Sequence, residues 1–261
     1  MKKQKIKILK IGGQVLNDEK RLKRILQAFA KIKEKKILVH GGGKKASELS
    51  KALGIKAQFI HGRRVTDSAT LEVVTMVYAG LINKKIVSIL QSLDTQAIGL
   101  TGADLNLIQA HKRIVSKIDY GFAGDIDYVN SSVIQQLIHI GAVPVFCAIT
   151  HDKKGQLLNT NADTIAAMLA IALAKQNVVE LLYCFEKEGV LLDPDDDNSV
   201  ISNLNQQSYL QLKEAGIISA GMIPKLDNAF EALRENVAKV FICSPEAIIE
   251  QSMKNATSLC L

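Results

Sequence analysis

The sequence predicts an α/β fold, a three-layer αβα sandwich with a central, mostly parallel sheet. Short apolar runs alternate with amphipathic helical patterns along the 261 residues, and this alternation is typical of parallel strands joined by right-handed helical crossovers. Glycines follow the first two apolar runs, where each strand is expected to turn into a helix. No long linker, internal repeat or low-complexity tract interrupts the pattern.

Helix and strand signals follow one another from the first apolar run onward. Asn17 is expected to cap the first helix, and Asp67 to cap a long helix that runs to about Leu93. Residues 116–130 and 151–160 are predicted hairpins, the second with Gly155 in its turn. The other predicted strands are 6–11, 37–40, 57–67, 96–102, 142–149, 178–185 and 238–243. The other predicted helices are 44–53, 131–141, 161–175, 206–216, 225–236 and 244–256.

The overall charge and the aromatic content argue against a nucleic-acid-binding protein. The net charge is +7, but the basic residues lie partly in the N-terminal tail and on the first predicted helix, where solvated lysines are ordinary. Aromatic residues make up only 5% and tryptophan is absent, which leaves little for base stacking. A basic protein also suits an anionic small-molecule substrate.

Cysteines and histidines predict neither disulfides nor a metal site. None of the four cysteines forms a CxxC pair, and the five histidines show no ligand spacing. Cys147, Cys184 and Cys243 follow or lie within apolar runs, so we expect reduced core residues of a cytoplasmic protein. We expect no signal peptide and, without a run of about 18 apolar residues, no membrane span.

The stretch "KILVHGGGKK", residues 36–45, is the first candidate functional motif. Three glycines between an apolar run and a helix indicate either a tight turn or a close backbone approach to a bound anion. A P-loop is excluded, because Leu38 stands where its first glycine belongs and Lys45 replaces its Ser or Thr. The weaker GxGxxG/A form of a dinucleotide fingerprint is met, but no acidic residue follows at the expected distance.

Four further motifs accompany the glycine turn in a fixed order. "LKIGG" places Lys10 before two glycines, and "GRRVTD" places Arg64 beside a strand-to-helix junction. "LNTNADT" places Asp163 at a helix start, and "GMIPK" places Lys225 after a glycine and a proline. Together with "DYGFAGDI" these motifs resemble the amino acid kinase superfamily, most closely its kinases of N-acetylated glutamate. Each motif is weak alone, but the ordered set covers nearly the whole chain.

The resemblance implies transfer of the γ-phosphoryl group of ATP to a side-chain carboxylate, which makes an acyl phosphate. A carboxylate is already ionised at neutral pH, so the nucleophile needs no general base. Positioning and charge stabilisation then supply most of the catalysis. By similarity Lys10 and Lys225 stabilise the moving phosphoryl group, and Asp163 orients both lysines.

The resemblance also implies which residues bind the ligands and which lobe binds each ligand. Arg64 would grip the substrate's α-carboxylate, and backbone N–H groups of the glycine turn would hold the substrate and the γ-phosphoryl group. We expect one domain, residues 1–261, with a substrate and dimerisation lobe at about 1–175 and a nucleotide lobe at about 176–261. The predicted substrate-binding residues are Gly42, Gly43, Arg64, Asn159 and Asn161. The predicted nucleotide-binding residues are Gly12, Gly13, Glu186, Gly189, Ser219 and Met222. For Asn161 and Asp163, plain helix capping is an alternative that can coexist with function.

Three positions depart from the family pattern. Glu186 replaces an aspartate in the expected nucleotide loop, and Leu105 replaces a glycine in "GADLN". Arg63 stands beside Arg64, where an apolar residue is common. Arg63 motivates the hypothesis that the acyl pocket accepts a larger or charged N-acyl group, such as N-succinyl, and the alternative is a solvent-facing arginine.

The expected ligands and partners follow from the same resemblance. ATP brings Mg²⁺, which phosphate oxygens and water would hold. The acidic stretch 193–199 is expected to be a solvated loop, because it lacks the pattern of a calcium loop.

We expect a homodimer. The first strand begins about six residues from Met1, which leaves no room for the extra N-terminal helix that links dimers of arginine-inhibited relatives, so insensitivity to arginine is expected.

Other functions stay open at this point. Another amino acid kinase could act on carbamate, glutamate, aspartate or a nucleoside monophosphate, although "GRRVTD" with "NTNAD" argues against these substrates. A nucleotide-binding regulatory relative without catalysis is suggested by the altered "CFEKEG" loop. A dinucleotide-dependent oxidoreductase rests only on the weak GxGxxG/A form.

Overall fold

The computed structural model describes residues 3–60, 62–115, 118–193, 195–218 and 221–261. The expected three-layer αβα sandwich with a central, mostly parallel sheet is confirmed. Contacts divide the chain into two compact units: the first unit is residues 1–36 with 166–261, and the second unit is residues 37–165. Contacts thus group the first 36 residues with the C-terminal segment, and the lobe division near residue 175 stays a prediction.

The helices and strands have the following bounds. The strands are β1 Lys5–Ile11, β2 Lys35–His40, β3 Gln58–Ile60, β4 Arg63–Val65, β5 Ala97–Leu100, β6 Ile108–Lys112, β7 Ala123–Val129, β8 Val143–Phe146, β9 Ile149–His151, β10 Leu157–Thr160, β11 Val178–Cys184, β12 Asn203–Asn205, β13 Lys239–Cys243 and β14 Thr257–Cys260. The helices are α1 Gly13–Asn17, α2 Glu19–Ala30, α3 Gly43–Ala52, α4 Ser68–Thr75, α5 Asn83–Gln91, α6 Ser131–His139, α7 Ala162–Ala174, α8 Gln206–Glu214, α9 Ile223–Arg234 and α10 Pro245–Ile249, with a π-helix at Met76–Ile82 and a 3₁₀ turn at Asp104–Asn106.

In the first unit, parallel strands surround β1. β1 pairs with β11 from Lys5↔Val178 to Ile11↔Cys184, and β11 pairs in parallel with β13. β14 then runs antiparallel to β13, which makes this part of the sheet mixed at its edge. Both faces of such a strand are covered, so β1 buries five of its seven residues, with Ile6, Ile8 and Leu9 at 0–1% exposure.

A buried lysine, Lys36, caps the C-terminal end of helix α2 in the first unit. The Lys36 ammonium donates to the Ala30 carbonyl at 2.6 Å and to the Ile32 carbonyl at 2.9 Å, and it lies over the Phe29 ring at 5.3 Å from the centroid. These bonds satisfy carbonyls that the end of a helix leaves open. Burial lowers the pKa of Lys36.

In the second unit, β2, β8 and β5 are parallel neighbours, with Leu38↔Val145 and Ala97↔Val143 in register. Beside them a closed four-stranded barrel joins β10, β7, β6 and β9. The short hairpin β3–β4 pairs Phe59 with Arg64. The carboxyl ends of parallel strands face one edge of a sheet, so β2 delivers the glycine turn to the edge where ligands gather in such folds.

Helix caps confirm one sequence prediction and correct another. Asp67 caps α4 by accepting from the Thr70 N–H at 2.8 Å, as predicted. Asn17 is not the cap of the first long helix, because a short helix, α1, ends there. Asp18 caps α2 instead and accepts from the Arg21 N–H at 2.9 Å.

The predicted hairpins have different outcomes. Residues 151–160 form the expected antiparallel pair β9–β10, with Gly155 at φ +97° in the turn. The hairpin at 116–130 is wrong: β7 pairs instead with β6, which the sequence did not predict, and Ser116 and Lys117 lie outside the described residues. The segment 57–67 is two short antiparallel strands rather than one strand.

The C-terminal segment also differs from its prediction. The helix expected over 244–256 ends at Ile249, and Gln251 has φ +54°, a left-handed conformation that stops a helix. The chain then forms β14, which was not predicted.

The continuous helix Ser68–Gln91 is apolar and long enough to span a membrane by length and composition, with a mean hydropathy of 1.5. Its inward face is buried in the second unit, and Asn83 within it donates to the Val145 carbonyl at 2.9 Å. A core helix has the same length and composition, so these two properties are weak grounds for a membrane span.

Candidate active site

The glycine turn is held against the long helix of the second unit. A Cβ atom at Gly42 would lie 2.5 Å from Ile82 Cδ1 and 2.8 Å from Tyr78 Cδ1, so no side chain fits there. Gly42 is also the N-cap of α3 and offers no side-chain oxygen to the first N–H groups of that helix. Free N–H groups and the positive end of the helix dipole favour an anion at this position.

A neutral histidine, His40, holds the glycine turn through a hydrogen bond. His40 is fully buried, and its Nδ1 lies 2.8 Å from the Gly41 carbonyl oxygen. The Asn83 amide donates to the Val145 carbonyl and to His40 Nε2, at 2.9 and 3.1 Å. Nε2 therefore accepts, and Nδ1–H donates to the Gly41 carbonyl. Burial lowers the pKa of His40 to about 4, which keeps the ring neutral near pH 7.

Arg64 contacts the glycine turn through one of its two terminal nitrogens. Its Nη2 donates to the Gly43 carbonyl and to Ser47 Oγ, both at 2.8 Å, and its Cζ lies 4.7 Å from the Phe59 ring centroid. Nη1 is buried and has no hydrogen-bond partner among the described residues. A buried donor without an acceptor costs free energy, so a ligand oxygen in this position is favoured.

The five predicted substrate-binding residues line one cavity. This cavity has a volume of about 210 Å³, and Arg63, Phe59 and Tyr78 share its lining with the glycine turn. Asn159 donates to Thr66 Oγ1 at 3.0 Å. Asn161 Oδ1 accepts from the N–H groups of Asp163 and Thr164, at 2.7 and 3.2 Å, so the capping alternative is confirmed for Asn161 while its side chain also faces the cavity.

The predicted catalytic lysines belong to the first unit. Lys10 lies on β1 with 6% exposure, and its ammonium is 3.9 Å from where a Gly12 Cβ would stand. Lys225 lies in the first turn of α9 and donates to the Gly221 carbonyl at 3.2 Å. Asp163, in the first turn of α7, is 7% exposed. Their joint role in phosphoryl transfer stays a prediction.

A second cavity, of about 160 Å³, lies in the first unit. Its lining is mostly apolar and includes the predicted residues Gly189 and Met222. Gly189 is needed for packing, because a Cβ there would lie 2.4 Å from Thr257 Oγ1. A largely apolar cavity suits the faces of an adenine ring.

A sequence model of the amino acid kinase family matches residues 5–244. The chain belongs to the amino acid kinase family. It is 51% identical over 255 residues to an acetylglutamate kinase of Cytophaga hutchinsonii, with 97% of both chains covered. It is 50% identical over 245 residues to an acetylglutamate kinase of Parabacteroides distasonis, with 94% and 96% covered. A crystal structure of a protein from Streptococcus mutans UA159 is 26% identical, with a TM-score of 0.77 and 91% and 94% covered.

Some predicted nucleotide residues of this amino acid kinase do not line the second cavity. Glu186 is exposed and lies outside the cavity lining, whereas its neighbours Phe185 and Lys187 line it. Ser219 lies outside the described residues. Gly12 donates its N–H to the Cys184 carbonyl at 3.2 Å, and no atom of the described residues stands within 4 Å of a Cβ at Gly13. Their contacts with a nucleotide stay predictions.

Sequence reasoning missed three residues of this amino acid kinase: Phe59 and Tyr78, which line the substrate cavity, and Ser47, which contacts Arg64. Ser47 lies one turn along α3 from Gly43, where it accepts from Arg64 and donates to the Gly43 carbonyl at 3.0 Å. The antiparallel pairing of Phe59 with Arg64 was hidden because residues 57–67 resembled one strand. A hairpin prediction there would have brought Phe59 and Arg64 together.

Because burial lowers the pKa of His40 to about 4, we predict that it makes stability depend on pH. Between its ordinary value near 6.5 and about 4, the unfolded chain binds a proton that the folded chain excludes. The free energy of unfolding should therefore fall as pH falls through this window, by up to about 3 kcal/mol. Urea unfolding at pH 7.0 and 4.5 measures this loss. His40→Gln should reduce it, while the same change at exposed His139 should leave it as in the wild type. An equal loss in His40→Gln would contradict the assignment.

Proposed function

We propose that this chain transfers the γ-phosphoryl group of ATP to the side-chain carboxylate of N-acetyl-L-glutamate, in arginine biosynthesis. The structural observation that supports an anionic substrate is the buried Arg64 Nη1, which has no partner among the described residues and belongs to a side chain that lines the cavity at the glycine turn. The choice of substrate rests on the acetylglutamate kinases that share half of this chain's residues over nearly its full length.

In this proposal the chain positions anions and stabilises charge rather than moving protons. The substrate carboxylate is ionised and attacks directly. Arg64 holds the α-carboxylate, and the N–H groups at the start of α3 hold oxygens of the substrate and of the moving phosphoryl group. Lys10 and Lys225 neutralise the charge that spreads over that group, and Asp163 orients them.

Magnesium is assigned to the nucleotide in this proposal. The described residues contain no group of three or more His, Cys, Asp or Glu that could hold a metal ion. Phosphate oxygens and water are the ligands that Mg²⁺ usually retains in phosphoryl-transfer enzymes, so the ion would enter with ATP. The cytoplasm is the proposed compartment, which agrees with the free, buried thiols of Cys147, Cys184 and Cys243.

The proposed activity predicts an acyl phosphate that hydroxylamine traps as a hydroxamate. With ATP and Mg²⁺, N-acetyl-L-glutamate should give product, whereas glutamate and aspartate should not. Lys10→Ala should lower kcat by roughly 10²–10³-fold, the loss expected when one group that stabilises transition-state charge is removed. Lys5→Ala, at the exposed start of the same strand, is the matched control and should stay within about twofold of the wild type. No turnover of any acceptor, despite ATP binding, would favour a regulatory relative.

The second candidate substrate is N-succinyl-L-glutamate, and the placement of Arg63 favours it. Arg63 lines the substrate cavity, and no carboxylate of the described residues pairs with it. Its neighbour Arg113 is already paired with Asp125 at 2.7 Å. Burial and the like charge of Arg113 lower the pKa of Arg63. A third carboxylate, at the end of the acyl group, would relieve this desolvated positive charge.

The succinyl candidate predicts a change in specificity for Arg63→Leu. The ratio of kcat/KM for N-succinyl-L-glutamate to that for N-acetyl-L-glutamate should fall about tenfold, equivalent to about 1.4 kcal/mol. Arg234→Leu, at an exposed position of α9, is the control and should leave the ratio unchanged. If Arg63→Leu also leaves the ratio unchanged, Arg63 does not face the acyl group.

The proposed homodimer predicts a mass of twice 28.5 kDa in light scattering. The outward side of the second unit carries exposed apolar side chains, including Met76 at 52%, Leu81 at 54% and Ile98 at 36% exposure, and such residues favour an interface. Leu81→Asp should therefore give a single chain. Leu210→Asp, at an exposed leucine of α8 in the first unit, should remain dimeric. A mass of one chain or of six chains for the wild type would contradict the proposal.

A further inference from the structure

A π-helical segment, Met76–Ile82, interrupts the long helix beside the substrate cavity. Such segments are rare, cost hydrogen-bond geometry, and occur frequently at functional sites. No proline accounts for this one. The π-helical segment places Tyr78 and Ile82 against Gly42, the N-cap of α3. The segment thus sets which side chains of the helix meet the glycine turn.

The Tyr78 hydroxyl lies beside the two groups that are proposed to bind substrate anions. Its oxygen is 3.8 Å from where a Gly43 Cβ would stand, and Arg64 Nη2 is 3.9 Å from the same point. Tyr78 lines the substrate cavity although only 5% of its surface is exposed. The Tyr78 hydroxyl and Arg64 Nη2 therefore both lie beside Gly43, at the start of α3, in residues that line the cavity.

The neighbouring groups leave the Tyr78 hydroxyl available as a hydrogen-bond donor. A guanidinium only donates hydrogen bonds, so Arg64, which lies with the Tyr78 hydroxyl beside Gly43, cannot accept the hydroxyl proton. No described residue accepts from that O–H. Burial raises the pKa of Tyr78, and the Arg64 charge offsets only part of the rise, so the group stays protonated near pH 7. An available O–H donor at an anion-binding cavity favours an oxygen of the ligand.

We propose that Tyr78 donates a hydrogen bond to the α-carboxylate that Arg64 holds, which makes it a substrate-binding residue set in place by the π-helical segment. This inference rests on the proposed function, because it assumes that an N-acyl glutamate fills the cavity. Arg64 and Tyr78 then bind the same carboxylate from two directions, the first as a cation and the second as a neutral donor. The Phe59 ring lies 4.7 Å from Arg64 Cζ and helps to hold the guanidinium in place.

The test compares two ligands on two variants by isothermal titration calorimetry. N-acetyl-L-glutamate carries the α-carboxylate, and 4-acetamidobutanoate is the same molecule without it. Tyr78→Phe removes one oxygen and keeps the ring that packs on Gly42, so the fold should be retained, as a thermal melt will check. Tyr128→Phe, at a tyrosine that is 51% exposed on β7, is the matched control.

Tyr78→Phe should raise the Kd for N-acetyl-L-glutamate by about 10- to 100-fold, the range for a hydrogen bond to a charged group. It should change the Kd for 4-acetamidobutanoate by less than about twofold, because that ligand lacks the proposed acceptor. Tyr128→Phe should leave both values unchanged. An unchanged Kd for N-acetyl-L-glutamate, equal losses for both ligands, or no binding of either ligand to the wild type would overturn the inference.

The hydroxamate assay on the same samples separates this inference from the proposed function. If the wild type shows the predicted binding pattern but no turnover, the kinase proposal fails and the role of Tyr78 stands. If the wild type turns over N-acetyl-L-glutamate and Tyr78→Phe binds it equally well, the kinase proposal stands and the role of Tyr78 fails. The KM for ATP serves as an internal check, because the inference places no nucleotide contact at Tyr78.

Discussion

Close approach between the glycine turn and the long helix is the constraint on which the substrate cavity depends. The backbone at Gly42 lies so near Tyr78 and Ile82 that one added carbon would collide with both. This contact fixes where α3 begins, and the start of α3 fixes where its free N–H groups point. Arg64 is then tied to the same turn through the Gly43 carbonyl. A cationic side chain and a helix N-terminus are thereby held together in one small space.

The positive charge in this space lies on a guanidinium whose hydrogen-bonding capacity is only partly used. Arg64 has partners for one terminal nitrogen and none among the described residues for the other, while His40 beneath the turn is kept neutral by burial. The neutral ring can accept from Asn83 and donate to Gly41, which an imidazolium could not do. The positive charge beside the turn therefore comes from Arg64 and not from His40. Reorganisation on binding is small when donors are already aimed in this way.

Much of this arrangement could be predicted from the sequence, for identifiable reasons. Glycines directly follow both β1 and β2, and each strand carries several apolar residues, so their positions and their functional ends were predictable. Asp67 caps its helix as its residue type suggests, and the five predicted substrate-binding residues do line one cavity. Motif order supplied this last prediction, because residues from 42 to 161 meet only through the fold.

What could not be predicted lacks a periodic or compositional signal. β6 shows only Ile108 and Ala110 as buried apolar positions, too few to indicate a strand. The segment "MVYAGLI" is apolar on every side, so its pattern cannot reveal a change from α to π geometry. The role of Tyr78 depends on that change, and the partners of Arg64 depend on a hairpin register. Such features are set by tertiary packing and appear only in three dimensions.

The π-helical segment has a consequence for how this protein can change over evolutionary time. A π-turn is equivalent to one extra residue within a helix, and each residue rotates a helix by about 100°. Deletion of a single codon between 76 and 82 would restore a regular helix, and it would turn Tyr78 or Ile82 away from the glycine turn. Substitutions on the outer side of the same helix carry no such penalty for the cavity. Selection for the cavity should therefore hold the length of this helix constant, independently of any selection that a dimer interface places on its outer side chains.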